Sequence, residues 1–573
     1  MKSSTASQAE SQNLQPVCRW SLRAEIWSVA ALVLVVAGLQ YAWLQHSDVQ
    51  FDTPDFTVHA RTALDIWEAL LQQDPGHALT RTKYGPAGYL PAVGLFQIFG
   101  PDLELLPLAQ LLLLPVHALA LTALGRRLYG PGAGFLACFF LFTTPLFVRL
   151  SRAYLLEIPS QALLLTGLTV LICGKALENR RAAVLFGITL GLTAMTKQEV
   201  LVLWLLPLAL YVVGVLQAVP TPEARRSRLL HLLLAGAVAA LLCLPFLLLV
   251  GPQSVLKARL VALTCAMEGP EYHWNLWTWL HFLTFRSLGG GHLLLLLLGL
   301  LFQRPASPDR RLVISMLVWG LLLVHLGTAH REYYLLNLMG CAALIATGWA
   351  FSNGMPRRTP IFMGLLVLVY GIPPLAGWMI PARPPSTAAL HHPSPGHENP
   401  EGWRILAPLM ADRPKRGRED ALRLLQDLQR EAPDGFTLYL ADDPSKWFWR
   451  DYLETLRRYH SIPVHLIVLE PGASPGAPGP VAPKGKTPGP AFFLIPKEHL
   501  RPGSERYHVP GFLPRRSDAD PPREYRLPSG EDPPPEWFQV IRLDGGEPGP
   551  TRMHPGPGSR IPSPPPTPVR ITR

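Results

Sequence analysis

Long leucine-rich runs alternating with short basic connectors fill the chain as far as residue 380, and they set what it can fold into. The runs are 26–44, 103–124, 131–148, 157–174, 182–196, 198–217, 229–250, 290–302, 312–328, 333–351 and 360–380. A helix needs about 20 apolar residues to cross a bilayer core, so the shorter runs have approximate edges. A single run of this kind can serve as the core helix of a soluble domain. Eleven of them in one chain of 573 residues cannot, because helices apolar all round must be enclosed by protein or lipid. The expected fold class is an all-α polytopic membrane protein with about 11 transmembrane helices, 10 to 13 being compatible with the runs. Composition agrees: 49% of residues are hydrophobic and 16% charged, against roughly 25% charged in soluble domains. That balance excludes a disordered chain, and 60 prolines exclude an uninterrupted helical bundle.

Basic residues then give orientation. Arg126–Arg127, Lys175 with Arg180 and Arg181, Arg225 with Arg226 and Arg228, Arg304 with Arg310 and Arg311, and Arg357–Arg358 occupy every second connector. The positive-inside rule places them in the cytoplasm, together with residues 1–25. Residues 46–102, 149–156, 196–199, 251–289, 329–332 and everything after 381 are then extracytoplasmic. This parity requires that 86–99 (PAGYLPAVGLFQIF), short and carrying Pro86 and Pro91, lie along the membrane surface. No small-residue cleavage site closely follows the first run, which reads as a retained anchor. The formal charge of +11 is thus largely a topology signal, and without a basic, aromatic-interleaved patch on a soluble face it excludes a nucleic-acid partner. Cys18, Cys138, Cys173, Cys243, Cys265 and Cys341 show no CxxC spacing, which argues against a disulfide scaffold or a cysteine zinc site.

Composition changes after Ile380. Residues 381–400 form a Pro-rich linker, 401–548 a small soluble α/β domain, and 549–573 a Pro-rich disordered tail. Within the domain, 419–431 and 446–460 have helical periodicity, while 436–443, 464–469, 491–495 and 538–543 read as strands. Asp442–Asp443 reads as a loop at a strand end and not as a metal site.

The first outer loop carries the most chemistry. In FDTPDFTVHARTALDIWEALLQ (51–72), Pro54 and Asp55 open an amphipathic helix. Asp55 reads equally as a helix cap or as an acid–base group at the membrane surface. Lys83, in RTKYGPAGYL, either snorkels to headgroups or binds an anion. Arg149, Arg152 and Glu157, then Lys197 and Glu199, then His330, Arg331, Glu332, Tyr333 and Tyr334 fall at other outer ends. Ionisable groups at such depths are costly, and gathered on one side they suggest a polar cavity for an anionic ligand with a lipid tail. Arg and Lys suit a phosphate, and Asp suits a general base.

These segments come in an order that resembles the membrane glycosyltransferases of family 39, with the GT-C fold, which include protein O-mannosyltransferases and bacterial aminoarabinose transferases. The matching pieces are PDFTVHARTAL, KYGPAGYLPAVGLFQIFG, GRRLYGPGAGFLACFFLFTTPLFVRLSRAYLLEIP, GITLGLTAMTKQE and HREYYLLNLMGCAALIA, over about residues 26–350. The resemblance implies transfer of a sugar from a polyprenyl-phosphate donor to an extracytoplasmic lipid, glycan or protein acceptor, with inversion. It implies Asp55 as catalytic base, with Asp52 in reserve. Where many members carry Asp-Glu, Asp55 is followed by Phe56. Lys83 looks like the loop lysine that meets the donor phosphate, one residue further from the AGY triplet. Arg152, Glu157, Lys197, Arg331, Glu332 and Tyr333 complete the implied donor-phosphate and substrate-binding set. No resident metal or cofactor is required, because phosphate is already a good leaving group, although the chemistry leaves room for a divalent metal. The expected location is a bacterial inner membrane.

Two rival classes are a secondary transporter and a non-catalytic membrane scaffold with 381–573 as its binding module. Pro115, Pro207 and Pro245 within helices favour the transporter weakly. The chain shows no internal repeat and its charges gather at the outer rim, not the midplane. A scaffold leaves the rim residues without a role.

Overall fold

The structure is a computed structural model, and it describes residues 21–46, 54–74, 76, 84–267, 288, 290–302, 307–326, 335–351, 361–362, 364, 416–434, 436–441, 448–460, 462–469, 491–496, 523–526 and 537–543. The described chain divides into a helical unit, which holds the runs and residues 451–461, and an α/β unit.

The helical unit follows the apolar runs as far as residue 351; the run 360–380 lies outside the described residues except at 361, 362 and 364. Its helices are α1 (Leu22–His46), α2 (Pro54–Leu71), α3 (Leu90–Phe99), α4 (Leu105–Leu111), α5 (Leu114–Tyr129), α6 (Ala133–Thr143), α7 (Pro145–Arg152), α8 (Glu157–Cys173), α9 (Arg180–Ala194), α10 (Glu199–Ala218), α11 (Pro222–Met267), α12 (Gly290–Phe302), α13 (Pro308–Leu326) and α14 (Leu336–Phe351). Leu121, Phe140, Leu165, Leu338 and Cys341 are all buried in one core at the junction of α5, α6, α8 and α14. α14 is enclosed almost all round, and its Gly340, Ala342, Ala343 and Ala346 let neighbours approach closely, as membrane helix packing favours. Among the described residues four helices are long and apolar enough to cross a membrane alone, or five spans if one bent pair counts as one. Three further apolar helices are shorter, at 10–17 residues.

Two expectations about the runs need correction. The run 131–148 is not one rod: α6 and α7 meet at 66°. Thr144 precedes Pro145, so its backbone is extended (φ −66°, ψ 124°) and the helix breaks there. α7 then continues to Arg152, into residues expected as a connector. The stretch 103–124 keeps its place as one span, Leu105–Tyr129, with only a local irregularity where α4 ends at Leu111 and α5 starts at Leu114 ahead of Pro115. Residues 251–267, expected in an outer connector, continue α11 to a length of 46 residues. Its last turns are rich in Leu, Ala, Lys and Arg, strong helix formers, and membrane helices tolerate a pair such as Gly251–Pro252.

In the α/β unit the strands are β1 (Phe436–Ala441), β2 (Val464–Leu469), β3 (Ala491–Pro496), β4 (Arg523–Arg526) and β5 (Trp537–Leu543). Their order in the sheet is β2-β1-β3-β5-β4. β1 pairs in parallel with β2 and β3, so the expected βαβ pattern is present; β5 pairs antiparallel with β3 and β4. β4 was not expected, since REYR is too short and polar to show an alternation. The helix between β1 and β2, α16 (Phe448–Tyr459, after α15 at Arg416–Glu431), was expected to belong wholly to this domain. Its residues from Asp451 onward group instead with the helical unit.

Candidate active site

The segment GPAGY after Tyr84 is seated on the turn between α9 and α10. The Ala87 amide donates to the Met195 carbonyl at 3.1 Å. A Cβ on Gly85 would lie 2.1 Å from that same oxygen, so only glycine fits this approach. The 3-10 turn Pro86–Tyr89 then leads directly into α3, whose ten residues span about 15 Å, half of a bilayer core.

Lys197 follows that turn. It is 3% exposed, and its Nζ donates to Glu157 Oε1 at the start of α8; Glu157 is also 3% exposed. The ring of Tyr84 lies 5.9 Å from Lys197 Nζ, within cation–π range. At the end of α7, buried Arg152 donates through Nε to Gln40 Oε1 of α1. Gln40 Nε2 donates in turn to Ser151 Oγ at 3.1 Å. Gln110 of α4 holds the following loop by donating to the Leu155 carbonyl at 2.9 Å.

α2 faces the same loop. His59 Nδ1 and the Tyr89 hydroxyl share a hydrogen bond of 2.8 Å, and the His59 ring lies 6.0 Å from that of Tyr84. Tyr89 is 6.4 Å from Tyr154, ring to ring. Burial pushes the Tyr154 phenol well above its ordinary pKa, with Tyr89 and Tyr459 adding to the shift.

Of the residues expected from sequence, Arg152, Glu157 and Lys197 are placed as described. Asp55 lies in the first turn of α2, one residue inside the helix start, where the helix dipole favours a carboxylate. Asp52, Lys83, Arg331, Glu332 and Tyr333 lie outside the described residues. Sequence reasoning passed over His59, Gln40 and Tyr154. His59 had a usable signal, since it stands four residues after Asp55 and shares its helix face. Gln40 and Tyr154 had none. Among the described residues no three His, Cys, Asp or Glu side chains gather as a metal site.

The opposite end of the unit holds a separate set. Glu25, fully buried, accepts from Arg126 Nη1 at 2.8 Å and from the Gly134 amide at 3.1 Å. Arg127 meets Asp309 at 3.8 Å, Arg228 meets Glu178 at 3.9 Å, and Arg310 Nη2 donates to the Leu128 carbonyl at 2.8 Å. These basic residues lie in different connectors from Arg152, Glu157 and Lys197.

Residues 85–249 match the family model described as dolichyl-phosphate-mannose-protein mannosyltransferase. The chain is also similar to ArnT from Cupriavidus metallidurans bound to undecaprenyl phosphate. That likeness has 16% identity and a TM-score of 0.56, over 91% of this chain and 99% of that one. The chain has the GT-C glycosyltransferase fold. The same ArnT in the apo state gives 16% identity and a TM-score of 0.56, over 90% and 98% of the two chains. No curated protein matches the sequence. The family match and the fold together bear out the class read from the sequence, a membrane glycosyltransferase of GT-C type.

Proposed function

We propose that this GT-C protein moves a sugar from a polyprenyl-phosphate donor to a hydroxyl of an extracytoplasmic lipid, glycan or protein, with inversion. The observation that carries the reading is the gathering of Tyr84, Glu157 and Lys197 at the seat of the GPAGY loop, in the connectors that also hold Arg152 and α2. Support for the donor class comes from the undecaprenyl phosphate held by the similar ArnT.

In this mechanism the donor's polyprenyl chain lies in the bilayer between helices. Its phosphate meets Lys83 and Arg331 or Arg152, with Lys197, Glu157, Glu332 and Tyr333 shaping the substrate site. The acceptor oxygen attacks the anomeric carbon as Asp55 takes its proton. The new C–O bond forms on the face opposite the phosphate. The old C–O bond breaks with its electron pair going to the phosphate oxygen, and the cations stabilise the charge that develops there. No protein nucleophile takes part, and a divalent metal is not needed for departure of the phosphate. We place the protein in a bacterial inner membrane, with the amino terminus in the cytoplasm and the α/β unit outside.

A transporter would also use a bent helix such as α6–α7. Here the bend leads to Arg152 and its bond with Gln40 close to the end of α1, which suits a site at the membrane surface better than one at the midplane.

The test is transfer by the purified full chain, given polyprenyl-phosphate hexose and pentose donors, alongside its Asp55→Asn variant. The expected result is sugar transfer by the parent and none by a folded, inserted variant. Near-normal transfer by Asp55→Asn would overturn the base assignment and turn attention to Asp52. Mass spectrometry of glycans and envelope lipids from deletion and parent strains would identify the acceptor by a missing sugar mass.

A further inference from the structure

The carboxyl-terminal half of α16, which groups with the helical unit, bonds to α2. Arg458 Nη2 lies 2.7 Å from Asp65 Oδ1 and 2.8 Å from Glu68 Oε2. Asp65 and Glu68 are three residues apart, so they share one face of α2 and one guanidinium bridges both. The next residue, Tyr459, is buried and donates its hydroxyl to the Ala60 carbonyl at 2.9 Å. That carbonyl lies inside the helix and uses its second lone pair for this bond. The Tyr459 ring also meets Phe96 of α3 edge-on at 5.9 Å, and Phe96 meets Trp67 of α2 at 6.4 Å. Two carboxylates, one backbone carbonyl and an aromatic chain thus hold α2 from a point about 390 residues away in sequence.

The geometry points to Arg458 and Tyr459 as positioning residues that set the seat of α2, and so of its first turn. This rests on the reading of Asp55 as the base. Ala60 stands five residues after Asp55, about 7.5 Å along the helix axis. A helix transmits a shift at that distance as a rigid rod. A misplacement of about 1 Å in a reacting group costs on the order of 100-fold in rate. Neither residue touches the reacting atoms, and both lie outside the family match at 85–249.

The test uses the purified full chain and its Arg458→Ala, Arg458→Lys and Tyr459→Phe variants, with two readouts. Amide hydrogen exchange across α2 reads the seat itself. It should quicken roughly tenfold in Arg458→Ala and Tyr459→Phe, with α8 and α14 unchanged, and recover in part in Arg458→Lys. Transfer kinetics read the consequence. We expect kcat to fall on the order of 10- to 100-fold in Arg458→Ala while KM for the donor changes little. Unchanged exchange across α2 overturns the proposal whatever the kinetics. Faster exchange with unchanged kcat overturns the positioning role. A parent chain that transfers from no polyprenyl-phosphate donor sinks the transferase reading and the positioning role with it, while exchange still decides whether the seat exists. The Lys variant keeps the test open if the Ala variant fails to fold.

Discussion

Lys197 and Glu157 close an ion pair in which each side chain is only 4% exposed, beneath the ring of Tyr84. The pair joins the turn after α9 to the start of α8. It therefore ties two helices to the loop that arrives through Gly85 and Ala87. Buried ion pairs contribute little net stability, because desolvation offsets their attraction, but losing one partner is expensive. An arrangement of that kind is a poor way to stabilise a bundle and a reasonable way to hold a cation ready for a charged ligand.

Removing one member should separate the structural from the functional role. Glu157→Gln leaves the Lys197 charge buried without its carboxylate and should cost roughly 3–5 kcal/mol. Thermal unfolding in detergent would show it. The double variant Glu157→Gln with Lys197→Met should recover much of that stability yet lose sugar transfer. A stable double variant with parental transfer would reduce the pair to a structural contact.

Gly85→Ala tests the seat of the loop. Its Cβ would meet the Met195 carbonyl at 2.1 Å, and a backbone oxygen cannot swing aside as a side chain can. The loop must lift, carrying Tyr84 off Lys197. We expect the variant to insert and fold, with transfer reduced on the order of 100-fold. Retention of most activity would show that the loop's seat does not matter to the chemistry.

How much of this was legible beforehand depends on the range of each interaction. Helix positions came from the apolar runs, because burial in lipid or protein leaves a local composition signal. The fold resemblance came from short ordered motifs, and the family match at 85–249 covers part of the same stretch. The α6–α7 break could have been read from Pro145. The Gln40–Arg152 bond joins residues 112 apart and leaves no local trace. Arg458 was still less visible, because RRYH at the end of an amphipathic helix looks like an ordinary solvated face. Only the fold brings it to Asp65 and Glu68.

Glu25 is a control for the opposite end of the helical unit. It is fully buried and serves Arg126 and the Gly134 amide together. Glu25→Ala strands both partners and should destabilise the protein by about 2–4 kcal/mol, measured as a lowered unfolding temperature. Per folded molecule, transfer should stay near the parental rate, since no proposed substrate group approaches that end. A folded Glu25→Ala protein without activity would mean that the site is not confined to the connectors around Lys197.

Tyr459 supplies a prediction in pH. Burial holds its phenol well above the ordinary range; Arg458 pulls the pKa down, and Asp102, Asp65 and Glu68 push it back up. The folded pKa is thus higher than the unfolded value of about 10. The sign follows from linkage: the stabilisation is fully present below pH of about 10 and is lost as pH climbs from there through the folded pKa. Arg458 stays charged throughout, its own pKa raised by the bonds and charges of Asp65 and Glu68 against a burial effect that lowers it. Tyrosinate absorbance should therefore show a group that titrates late, only as α2 loses its exchange protection, and Tyr459→Phe should remove that group. A Tyr459 phenol that ionises like an exposed tyrosine while α2 remains protected would show that its hydroxyl does not rest on Ala60.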